Sequence, residues 1–194
     1  MKTSKEYRVQ AQEILKGKYG IAILVDIIFG LILSAACGTI IVGIILGGML
    51  TVGHTWAYMR LVRSGSMKVG DMFESFNRND LSSTIGLMIK TAVFTMLWSM
   101  LFFVPGIIAA YSYSMAPYIL ADKPELTGGE AIRMSRELMK GKKWNLFCLE
   151  FSYIGWIFLC ILTMGILTLW VEPRMTVART AFYEDIKGEL EGRN

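Results

Sequence analysis

Seven ionisable side chains stand inside apolar stretches of this chain: Asp26, His54, Lys90, Glu150, Glu172, Arg174 and Arg179. A charge at the centre of a membrane helix costs about 2.5–3.5 kcal/mol, so such residues face protein or water and mark ion pairs between helices or paths for protons and cations. Asp26, Glu150 and Glu172 balance Lys90, Arg174 and Arg179 as a neutral set of three and three, which favours pairing. His54 together with the carboxylates is the set that would carry a proton or cation. Spacing predicts a common level. Asp26 lies eight residues past Lys18, Glu150 eight past Lys142 and Lys90 nine past Leu81, a helical rise of ~12 Å. His54, Arg174 and Arg179 approach that layer from the other side, and Lys90 is expected to bridge Asp26 and Glu150.

The matching depth of the two carboxylates comes from a repeat. EILKGKYGIAILVD, Glu13 to Asp26, returns 124 residues later as ELMKGKKWNLFCLE, Glu137 to Glu150. Both copies read as the end of a basic amphipathic helix, a glycine stop with lysines at the negative helix end, and the start of an apolar helix. Tyr7, Ala11, Ile14 and Leu15 share one face before the first stop; Ala131, Met134 and Leu138 do so before the second. Thr127 and Glu130 form a capping-box pattern at the start of that second helix. Both helices are expected to lie flat on a membrane surface.

The elements that would hold these residues follow from the apolar runs. The 194-residue chain is 54% hydrophobic and 19% charged, against about 25% charged in ordinary soluble domains. A spanning helix needs about 20 mostly apolar residues. Six stretches are predicted to span, at about 19–36, 39–58, 82–103, 107–121, 144–163 and 166–183, paired as three hairpins. Uncharged tips at Cys37-Gly38, Val104-Pro105-Gly106 and Thr163-Met164-Gly165 separate the members of each pair, and Pro117 is expected to kink the fourth span. The sixth is the weakest, since Glu172, Arg174 and Arg179 cost up to ~9 kcal/mol against roughly 2–4 returned by its apolar residues. It is expected to insert only against partners. Residues 1–18 form the first surface helix, 128–140 the second and 186–194 a polar tail, so that 19–185 make a single transmembrane domain.

The net charge of +4 is spread over four polar segments interleaved with acids, which excludes a nucleic-acid patch and fits the positive-inside rule. Both termini are therefore expected in the cytoplasm, with anionic lipid at the basic surface helices. Cys37, Cys148 and Cys160 make no C-x-x-C pair and no ligand pattern with the lone His54, so neither a metal nor a cofactor is expected. No phosphate loop or nucleophile motif occurs. Gly43-x-x-x-Gly47 and Gly106-x-x-x-Ala110-x-x-x-Ser114 permit close helix contacts.

Several stretches run in a familiar order: Leu97-Trp98-Ser99, Pro105-Gly106-Ile107-Ile108, Tyr113 to Asp122, Met139 to Trp144, Phe151 to Trp156, Leu169-Trp170 and Ala181 to Asp185. Together they resemble a family of small bacterial multi-pass integral membrane proteins, domain of unknown function 975. The likeness is dense from about residue 70 to 185. Arg174 departs from it, since the family usually places a tyrosine after the proline. The resemblance implies a membrane fold in the bacterial cell membrane and carries no activity with it. The combined expectation is an all-α polytopic protein without enzymatic function, a structural or interaction component with a role in membrane stress or in protection against peptides, acting with a protein partner or as a homo-oligomer. A small transporter or channel component using Asp26, Glu150 and Lys90 is the alternative, and an intramembrane enzyme ranks third.

Overall fold

The computed structural model describes residues 2–36, 40–74, 81–101, 103–163 and 165–191. These are mostly helical, with no strand among the described residues. Helix α1 (Ser4–Leu15) is followed by α2 (Tyr19–Ala36) and α3 (Ile40–Ser64). A short 3-10 turn (Val69–Met72) precedes α4 (Leu81–Leu101), α5 (Phe103–Tyr113) and α6 (Ala116–Asp122). The chain ends in α7 (Gly128–Leu138), α8 (Lys143–Phe151), α9 (Ile154–Leu162) and α10 (Thr168–Glu191).

Both halves of the repeat end their helices as the sequence predicts. Gly17 and Gly141 take φ of 74° and 73°, a left-handed conformation in which any side chain would clash with its own backbone. At the first stop the chain turns by 99° between α1 and α2. Thr127 accepts from the Glu130 amide, and the Glu130 carboxylate accepts from the Thr127 amide. The same capping box opens α1 at Thr3 and Glu6.

The faces of the two amphipathic helices are covered by protein rather than left for lipid. Tyr7, Ala11 and Leu15 are buried where α1 packs on α10, and the Tyr7 and Phe182 rings meet edge-on at 5.6 Å. Ala131, Ile132 and Leu138 of α7 are likewise buried, against α4 and α6. An apolar stripe at helical spacing reports that a face is covered, whatever covers it.

Helices α3 and α10 form the centre. The first packs on α2, α4, α6 and the 3-10 turn; the second packs on α1, α2 and α3. Tyr58, Met59, Leu61, Leu120 and Phe182 are fully enclosed between them. Helix α10 runs through Glu191, so most of the segment expected as a polar tail continues the helix. Pro105 lies in the first turn of α5, where the missing N–H has no partner to lose, so the helix is continuous across Val104–Gly106. The expected fourth span is divided between α5 and α6, with Pro117 opening α6. The fifth is divided at Ser152 and Tyr153 between α8 and α9. The predicted tips at Cys37-Gly38 and Met164 lie outside the described residues.

By length and composition, one helical stretch among the described residues, Lys143–Leu162, is apolar enough to cross a membrane, and α1 with α2 count as a second if the bent pair is one span. Six spans are not supported. The fourth predicted span falls into helices of 11 and 7 residues, each too short for a crossing that needs about 20, and the sixth lies in a helix that carries Glu172, Arg174 and Arg179.

Candidate functional site

The seven ionisable residues do not gather into one contiguous group. They sort into two polar clusters and three separate side chains.

The first cluster joins α2 to α3. Asp26 Oδ1 lies 2.8 Å from His54 Nε2, and the Tyr58 hydroxyl is 2.9 Å from both carboxylate oxygens. His54 and Tyr58 are one helical turn apart, which places both on the face of α3 that meets α2. The imidazole is packed between the Phe29 ring at 4.5 Å and the Tyr58 ring at 4.9 Å. Asp26 is thereby enclosed, its side chain only 8% exposed.

The second cluster joins α5, α8 and α10. Arg179 Nη2 stands 2.8 Å from Glu150 Oε1, and the Tyr111 hydroxyl donates to Glu150 Oε2 at 2.6 Å. Arg179 Nε is buried without a hydrogen-bond partner, so the guanidinium is held by one edge only.

Lys90 bridges neither carboxylate. Its ammonium lies across the α4–α7 contact, 2.8 Å from where a Cβ on Gly129 would stand. A common depth along parallel helices says nothing of the direction in which each side chain points, and α4 turns Lys90 toward α7. Glu172 is exposed. Arg174 answers its charge with aromatic faces, its guanidinium 5.5 Å from the Tyr19 ring centre and 5.9 Å from that of Trp156, while Nε donates to the Tyr19 hydroxyl at 2.8 Å. A planar, weakly hydrated guanidinium suits such stacking. The balanced set of three and three does not assemble.

A third cluster forms from residues that no apolar run surrounds. Asp122, at the end of α6, receives Arg63 of α3 at 2.7 Å, together with Lys187 and the Tyr183 hydroxyl of α10. Arg63 also reaches Glu184 at 2.7 Å. Burial pushes the Asp122 carboxyl up, but its bonds to Arg63 and Lys187 outweigh that and hold it below the usual range. Next to it, the Tyr7 hydroxyl donates to Asp185 at 3.0 Å. The motifs that carry the family resemblance contain these acids: Asp122 ends α6, and Glu184 and Asp185 lie within α10. Each of these acids has a charged neighbour in the chain, so apolar surroundings do not single it out. The cluster ties the ends of α3 and α6 to α10.

Beneath α3 a smaller knot fixes the 3-10 turn. Arg60 donates to Asp71 at 2.7 Å, and the Trp56 indole donates to Glu74 at 3.2 Å. Cys148 and Cys160 are free thiols; Cys37 lies outside the described residues. Among the described residues no group of three or more His, Cys, Asp and Glu side chains is placed to hold a metal ion.

These contacts describe an all-helical protein whose internal polar groups close on one another between helices. Residues 100–189 match the family described as Protein of unknown function (DUF975), the family whose motifs the sequence resembles. The matched region holds the whole of the Glu150–Arg179–Tyr111 cluster and Asp122 with its α10 partners, while Asp26, His54 and Tyr58 precede it. Neither a curated protein nor a solved structure matches the chain.

Proposed function

We propose that the chain is a bilayer-embedded structural or interaction protein of the bacterial cell membrane, without enzymatic activity. The observation that carries this reading is the apolar surface. In the Lys143–Leu162 stretch only 18% of the most apolar window is buried, so it is not the core helix of a water-soluble fold. Phe158, Ile161 and Leu162 stand outward there, Leu162 being 82% exposed. Leu24 and Leu31 of α2 and Val93, Met96 and Leu97 of α4 are exposed as well. Water-soluble monomers rarely expose contiguous apolar patches larger than a few hundred Å², and a hydrocarbon solvent explains these. The inward polar groups then act as ties between helices, because a charge facing protein must find its partner there.

Membranes from cells producing the protein, washed with alkaline carbonate, should retain it, and detergent should be needed to release it. Recovery as a monodisperse species in water without detergent would overturn the reading. A second reading rests on one observation: Asp26 and His54, both able to bind a proton, touch inside an apolar shell. For a proton carrier, proteoliposomes would show an acid flux that disappears in Asp26→Asn while the thermal unfolding profile stays cooperative. Absence of flux in the wild-type protein leaves the structural role.

A further inference from the structure

A cavity of about 690 Å³ opens between α4, α5 and α7, at the start of α8. Its two ends differ in chemistry. Phe94, Leu97 and Ile108 make an apolar wall, and Arg136, Lys140 and Lys143 stand at the other end. No carboxylate lines it among the described residues, and no ion pair engages those three cations. What marks these three is that they converge on one cavity. Arg60, Arg63, Arg179 and Lys187 all pair with acids.

The apolar wall continues onto outward residues of the same helices, since Leu97 and Ile108 are themselves exposed. At the cationic end, the exposed Trp144 stacks on Phe147 at 5.2 Å, an amphipathic ring of the kind found at headgroup level. Apolar side chains and cations thus line one cavity, the two kinds of surface that an acyl chain and a phosphate need.

We propose that this cavity seats one anionic phospholipid, its phosphodiester on Arg136, Lys140 and Lys143 and an acyl chain against Phe94, Leu97 and Ile108. Charge complementarity selects the headgroup. A zwitterionic lipid brings its own cation toward three others, whereas phosphatidylglycerol brings a net negative charge alone. Basic pockets between helices bind anionic headgroups by this logic, and the volume falls within the range of small-molecule sites. The inference rests on the bilayer reading above, which supplies the lipid.

The test is native mass spectrometry of the detergent-purified full chain, delipidated and titrated with phosphatidylglycerol or phosphatidylcholine of identical chains. One phosphatidylglycerol per chain should be retained, with a preference over phosphatidylcholine of about tenfold or more. Replacing Arg136, Lys140 and Lys143 with Gln together should abolish the preference. Replacing Lys5, Lys16 and Lys68 with Gln, an equal charge change elsewhere, should leave it intact. Ala109→Trp, which fills the apolar end, should reduce retention of both lipids. Inorganic phosphate should not displace the lipid at equal concentration. Equal retention of the two lipids overturns the proposal, as does equal loss in the two triple variants, or displacement by phosphate, which would make the site one for a free anion. Carbonate extraction into water would refute the bilayer reading separately. Stoichiometric phosphatidylglycerol on that soluble protein would still uphold the cavity, and none would overturn it.

Discussion

Replacing Asp26 by Asn keeps the shape of the side chain and removes its charge, and the contacts around it set what that costs. The carboxylate takes His54 at 2.8 Å and the Tyr58 hydroxyl at 2.9 Å, with its side chain 8% exposed. Hydrogen bonds to charged groups are worth about 1.5–3 kcal/mol each, and the amide retains one weakened acceptor, so a loss of about 2–4 kcal/mol is expected. At roughly 2–4 °C per kcal/mol for a chain of this length, the thermal midpoint should fall by about 4–16 °C. His54→Phe preserves the ring packed on Phe29 while deleting the nitrogen. Because both changes remove the same contact, the double variant should be less unstable than the sum, with coupling of about 1–3 kcal/mol. Lys90→Met is the control. Its ammonium lies over Gly129 in α7, so its effect should add to that of Asp26→Asn within about 0.5 kcal/mol. The assay is unfolding of detergent-purified protein followed by tryptophan fluorescence across both cycles. Additivity of Asp26 and His54 would refute the contact, and strong coupling of Asp26 to Lys90 would restore a lysine bridge.

Three further perturbations test other parts of the structure. Gly128→Ala puts a Cβ 2.3 Å from the Leu87 amide nitrogen and 2.4 Å from the Ser83 carbonyl oxygen, both immovable backbone, so stability should fall by more than about 2 kcal/mol. Gly129→Ala meets only the flexible Lys90 tip and should cost less than about 1 kcal/mol; equal midpoints for the two would refute the α4–α7 packing. Arg179→Met strands the Glu150 charge and should cost about 3–5 kcal/mol, part of which Glu150→Gln in the same background returns; a double variant no better than Arg179→Met alone would refute the pair. The Asp122 carboxyl is held below its ordinary value near 3.8, so its contribution is fully present above that pH and is lost as the pH falls through the lowered folded-state value. Asp122→Asn should therefore be destabilised at neutral pH, and the gap to wild type in unfolding midpoint should narrow below about pH 4; a constant gap would refute the assignment.

Local features of the fold were legible in the sequence wherever a single short-range rule decides them. The glycine stops at Gly17 and Gly141 and the capping box at Thr127 need only backbone geometry, and the chain obeys them. The start and end of α2 at Tyr19 and Ala36 follow from the length of its apolar run. What the sequence hid is the direction of side chains around each helix axis. Asp26, Lys90 and Glu150 were placed at one depth from residue counts, yet they point at α3, at α7 and at α10. Tyr58 was recoverable, standing one turn beyond His54 on the same face. Its partner was not, because nothing local specifies that α2 returns Asp26 to that face.

Helix α10 shows the same limit in energetic form. Scored against lipid, Glu172, Arg174 and Arg179 make it the poorest crossing in the chain, at up to ~9 kcal/mol. That arithmetic takes hydrocarbon as the solvent. In the structure α10 is solvated by the protein: Val177, Ala178, Ala181, Phe182 and Ile186 are enclosed by α1, α2 and α3. Arg179 closes on Glu150, and Arg174 lies over Tyr19 and Trp156. The cost assigned to a charge in lipid is replaced by the energy of a formed pair, and losing one partner restores that cost. Hydropathy therefore ranks helices by what a bilayer would do to each alone. On the bilayer reading proposed above, the apolar outward faces of α4, α8 and α9 answer to that ranking. The central helix answers to its neighbours, and its charges are where the chain specifies which neighbours those are.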